Sequence, residues 1–109
     1  MQTMTPYIEI VAIERDDATP DSVVVRLSAA PTPEWRNFFG QAWILATVER
    51  RIPADFGWGA HVEGDRIVIP NASPQAVALQ IDGLRHIVKE TNRITAGYYG
   101  LVRRSHGAG

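Results

Sequence analysis

The chain has 109 residues, 45% apolar and 21% charged, with a formal net charge of −1 and no cysteine. This fits one domain that buries roughly 65% of its unfolded surface. It excludes a disulfide framework, a thiolate nucleophile and a cysteine-ligated metal. The charge is unevenly spread: residues 1–34 hold six acids and two arginines, residues 35–90 six charges of each sign, and residues 91–109 three arginines and no acid. The basic stretch 103–109 reads as a solvated, flexible tail beyond an ordered core of about residues 6–102.

The start, MQTMTPYIEIVAIERDD, lacks the basic and uninterrupted apolar segments of a secretory leader. The longest uncharged apolar-rich run, Phe38 to Val48, is far short of the ~20 residues of a membrane span. The expected compartment is the cytoplasm.

In chain order, Tyr7 to Arg15 and Asp21 to Ser28 are rich in β-branched residues and flank the turn-forming DDATPD. They read as an antiparallel hairpin. Thr32, Pro33 and Glu34 then supply an N-cap, a first helical residue and an acid for the positive helix end. Trp35, Phe38, Phe39, Ala42, Trp43 and Ala46 follow at steps of 3 and 1, the spacing of one helical face. Gly40 weakens this helix by ~1 kcal/mol relative to alanine, which suggests a close backbone approach. The end falls between Ala46 and Arg51, with Pro53 as the last possible stop.

HVEGDRIVIP places Gly64-Asp65 between two short β-like runs, a second hairpin. Ser73 and Pro74 repeat the helix-start chemistry, and Val77, Ile81, Leu84, Val88 and Thr91 recur at steps of 4 and 3. Gly97 is a natural helix terminator, after which residues 98–102 (YYGLV) pack back or run extended.

The order is β-β-α-β-β-α, an α+β fold in which two amphipathic helices cover one face of a four-stranded antiparallel sheet. Ile8, Ile10, Val23, Val25, Leu27, Ile67 and Ile69 are the expected core layer of the sheet. Strict alternation puts Tyr7, Val11, Ile13 and Val24 on the opposite face, apolar for a surface turned to water. Its expected cover is Trp58 with the YYGLV end, or a second copy.

Few chemistries survive inspection. Asp55-Phe56-Gly57 matches a kinase tripeptide, but the only lysine, Lys89, lies on a late helix, and no His-Arg-Asp precedes. No phosphate-cradling glycine motif is present. His61, Glu63 and Asp65 are two apart, but Gly64-Asp65 is the expected turn, so they read as polar strand positions rather than metal ligands. Asp82 and His86 form an i,i+4 pair on a solvated helix face. Ser73 is engaged as a cap, and Ser105 has no basic partner at motif spacing. No catalytic residue, metal or cofactor is expected.

Trp58 stands between two glycines in DFGWGA, and large aromatics anchor protein interfaces. The expected function is a small non-catalytic protein-interaction or regulatory module. Its candidate surface is Trp58, Tyr7, Val11, Ile13 and Val24, and its partner is a protein or a second copy. The alternative is a nucleic-acid-binding module: Arg50, Arg51, His61 and Arg66 surround the same loop, where arginines hold phosphates and Trp58 stacks on a base. A small enzyme with a site not evident in sequence is the third reading.

Overall fold

The computed structural model describes the backbone of residues 7–107 and the side chains of residues 7–102. Strands β1 (Ile10–Arg15) and β2 (Ser22–Leu27) precede helix α1 (Pro33–Val48). Strands β3 (His61–Glu63) and β4 (Arg66–Pro70) precede helices α2 (Pro74–Leu79) and α3 (Ile81–Gly107). All pairings are antiparallel in the order β1-β2-β4-β3, so the second strand of each hairpin is central. The four-stranded sheet with helices against it is the architecture that the sequence pattern implies.

Both hairpin-to-helix transitions use the expected chemistry. Thr32 Oγ1 accepts from the Trp35 amide at 3.2 Å and Ser73 Oγ from the Ala76 amide at 3.1 Å, each followed by a proline. Gly64 has φ +57, the sign that a mirror-image hairpin turn needs at its first loop position. Helix α1 ends in a paired cap: the Arg51 amide reaches Ala46 O at 2.9 Å and the Arg50 amide Thr47 O at 3.2 Å. Arg50 makes that reversal with φ +61, where glycine is usual.

The core lies between sheet and helices. Val23, Val25, Leu27, Ile67 and Ile69 from the strands meet Trp35, Phe39, Ala42 and Ala46 of α1 and Val77, Leu84, Ile87 and Val88 from α2 and α3. Helices α1 and α3 run antiparallel: Tyr99 sits beside Thr32 and Glu34 at the start of α1, while Gly83 abuts the Arg51 carbonyl and the Ile52 side chain beyond its end. Asn92 fastens the layers. Its Oδ1 accepts from Trp35 Nε1 at 2.9 Å and from the Ile8 amide at 3.2 Å, and its Nδ2 donates to Ile8 O at 2.8 Å.

Four details depart from the sequence reading. First, the register of β1 slips between Ile10 and Ala12. This bulge at Val11 reverses the parity, so Ile13 pairs with Val25 and packs against the core instead of facing outward. Second, the last helix is divided at Gln80, whose φ and ψ are −102° and 14°. Third, α3 passes through Gly97 and residues 98–102 to Gly107. Gly97 lacks a positive φ, so it is an ordinary helical residue. Of the expected flexible tail 103–109, the backbone of 103–107 continues α3, while its side chains and residues 108–109 lie outside the described residues. Fourth, Gly40 meets nothing within 4 Å, so no close backbone approach requires it.

Candidate interaction surface

The loop after α1 is built around Trp43. Phe56 stacks on its ring with centroids 6.2 Å apart and planes 5° apart. Gly57, at φ +70, lies so close that a Cβ there would overlap the indole. Phe56 also closes a turn onto Pro53 O at 3.1 Å, and the Ala60 amide closes a second onto Gly57 O at 2.7 Å. Trp58 and Gly59 are the central residues of that second turn, and Gly59 at φ +85 supplies the conformation that a type II turn needs there. Trp58 therefore stands at the apex of a hydrogen-bonded turn and is 84% exposed.

Beside it lies a groove of about 250 Å³ between α1 and the loop, lined by Gly40, Trp43, Ile44, Thr47, Phe56 and Trp58 among others, none of them charged. The missing side chain at Gly40 helps to leave it open. The outer face of α1 continues this surface. Asn37 to Val48 contains no charge, and on the side away from Trp35, Phe39, Ala42 and Ala46 stand Ile44, 65% exposed, and Val48, 72% exposed, with Leu45 next to them. Asn37 and Gln41 are exposed on the same face, so it is mixed, but three large aliphatic side chains are more than the polar face of a surface helix ordinarily carries. Sequence reading of the core stripe missed these three residues. The signal was the absence of any charge between Arg36 and Glu49.

The other candidates fall in different places. Tyr7 and Val11 are exposed, Val11 on the bulge. Val24 does face away from the helices, but it is only 4% exposed, so it offers little surface. It lies opposite Val68 among longer polar neighbours. Arg26 reaches Glu14 at 3.0 Å, and Arg66 lies 3.9 Å from Glu63. That face is a small valine centre under an array of ion pairs, and neither Trp58 nor residues 98–102 are needed to cover it.

The basic residues divide. Arg51 pairs with Glu49 at 3.0 Å. Arg50 lines a shallow depression with Pro53 and Gln80. Arg66 begins β4, four residues or about 13 Å from Pro70 near Trp58. The cluster in sequence is thus spread over two regions and interleaved with acids.

His61 bridges the loop to β3. Its Nδ1 lies 3.1 Å from Gly59 O and its Nε2 2.6 Å from Glu63 Oε2. Only the imidazolium donates to both, so the Gly59 carbonyl and then the Glu63 carboxylate raise its pKa above the ordinary value. Asp65 sits in the turn beyond β3, and no three metal-ligating side chains gather among the described residues. At the start of α1, the Tyr99 hydroxyl donates to Glu34, which lowers the carboxyl pKa and raises that of the phenol. Ser73 acts as the α2 cap, while His106 and Ser105 lie beyond the described side chains.

The chain matches no protein-family model, and no curated protein or solved structure resembles it significantly. No helix among the described residues is long and apolar enough to cross a membrane.

Proposed function

We propose that the protein is a non-catalytic protein-interaction module, with the cytoplasm as its proposed compartment, and that it docks through the outer face of α1 and the Trp58 turn. One observation carries this reading: a tryptophan 84% exposed sits on a hydrogen-bonded turn, anchored where Phe56 and Gly57 pack on Trp43, next to an uncharged groove. Pre-ordering the loop before binding lowers the entropy lost on association. Exposed Ile44, Leu45 and Val48 enlarge the apolar centre, as an interface core requires.

Site-specific photocrosslinking tests this. A benzophenone side chain at position 58 or 44 is expected to give a discrete protein adduct, to another copy or to a different chain, that Val48→Glu abolishes. The same group at Ser28, away from the surface, should give none. Absence of adducts at both positions, together with salt-dependent retention on DNA or RNA lost in Arg50→Ala, would transfer the function to the nucleic-acid reading.

A further inference from the structure

We infer that His61 is a pH-sensitive clasp on the Trp58 turn, restraining the turn when its ring is protonated and releasing it when the ring is neutral. The clasp concerns the turn itself; its bearing on docking rests on the reading above.

Both nitrogens of the His61 ring face acceptors. Nδ1 lies 3.1 Å from Gly59 O and Nε2 2.6 Å from Glu63 Oε2. Neither a carbonyl nor a carboxylate donates, and a neutral imidazole carries one N–H. The imidazolium therefore satisfies both partners and the neutral ring only one. The hydrogen bond to a charged acceptor is the stronger of the two, so on deprotonation the remaining hydrogen stays on Nε2, toward Glu63. Gly59 O then loses its donor and faces a ring lone pair. No other hydrogen bond to that carbonyl occurs among the described residues.

The bond ties the turn to the edge of the sheet, because His61 opens β3 and Gly59 follows the exposed indole directly. Without it, the turn keeps the Ala60–Gly57 hydrogen bond and the packing of Phe56 and Gly57 on Trp43. Gly57 and Gly59, at φ +70 and +85, flank Trp58 and resist other conformations little. Gly59 also lines the groove beside α1, so release changes the groove wall together with the tryptophan.

The surroundings let His61 titrate. Its strand is at the edge of the sheet, and its side chain is half-exposed. Opposite it on β4 stands the uncharged Val68. Glu63 is the charge beside the ring, and Arg66 of β4 lies 3.9 Å from the other oxygen of that carboxylate. Further across the sheet, Arg26 of β2 is paired with Glu14 of β1. The Gly59 carbonyl first and Glu63 second raise the imidazole pKa above its ordinary value. The clasp is thus closed below the folded pKa and opens as pH rises through it.

Carbon-13 NMR of the full chain between about pH 5 and about pH 9 reads the result without relying on exchangeable protons. The His61 ring shift gives the titration midpoint in the same samples. In the wild type, the Gly59 carbonyl shift and the relaxation-derived order at Trp58 are expected to change with that midpoint, order being lost on the alkaline side. Trp43 and Phe56 should keep theirs. Glu63→Gln is expected to move all three midpoints down together, and His61→Gln to make the order at Trp58 independent of pH. A wild-type Trp58 whose order is constant through the His61 titration overturns the clasp, as does a pH dependence that survives in His61→Gln. Relaxation needs no partner, so a failed clasp and a failed docking reading, which crosslinking at position 44 reports, are told apart. Where docking holds, the position-44 adduct yield is expected to fall with the same midpoint, and a yield that ignores pH while the turn loosens refutes the link to docking.

Discussion

Asn92 makes three hydrogen bonds from one buried side chain, to the Trp35 indole and to both backbone groups of Ile8. Truncating it strands buried donors and an acceptor, so Asn92→Ala should cost about 3 kcal/mol, read from the denaturant midpoint. Asn92→Asp should also destabilise, because a carboxylate replaces the amide that donates to Ile8 O. His61 allows a separate test. Its folded pKa is raised by the Gly59 carbonyl and by Glu63. The stabilisation from its two bonds is therefore full below an unfolded value of about 6.5 and lost as pH rises through the higher folded value. An NMR titration should show a midpoint above the free-imidazole value, and Glu63→Gln should lower it. A wild-type midpoint at or below the free value would contradict the bridge. Periodicity revealed neither residue's role: Asn92 lies among polar helix residues in the sequence, and the partner of His61 in the loop is a backbone carbonyl.

The helices show how tertiary contact overrides local preference. Glycine inside a helix ordinarily costs up to ~1 kcal/mol relative to alanine. Gly97 meets nothing within 4 Å, so Gly97→Ala should stabilise by about that amount. At Gly83 a Cβ would come within 2.7 Å of Arg51 O, a backbone atom with little freedom to move. Gly83→Ala should therefore destabilise, and thermal unfolding of the two variants should shift in opposite directions. The end of α1 gives a third test. Arg50 holds a left-handed conformation that glycine adopts without strain, so Arg50→Gly should raise stability by about 1 kcal/mol. The helix starts were legible because a cap and a proline act within a few residues. The end of α3 was not, since Gly97 is compatible with both termination and continuation.

At the scale of the whole molecule, one layer of side chains carries stability and another carries the proposed function. Phe39 lies in the core, 5.3 Å from the Trp35 ring and 5.6 Å from that of Trp43. Phe39→Ala should cost roughly 3–5 kcal/mol. Trp58→Ala should change the stability of the single chain by no more than about 0.5 kcal/mol, measured at a concentration too low for association. A large loss there would make Trp58 a structural residue and remove the support for docking. The sequence by itself determined the number and order of the strands, the two helix starts and most core positions, because period-2 and period-3.6 patterns record which face of each element leaves water. Only the tertiary structure decided which apolar residues stayed outside. A one-residue bulge at Val11 turned Ile13 inward, ion-paired neighbours enclosed Val24, and α1 spent one apolar face on the core while keeping another exposed. Composition counts apolar residues without saying how many faces the fold has available to bury them. That balance is set by register, by the crossing of α1 and α3, and by the turn that holds Trp58 away from the core.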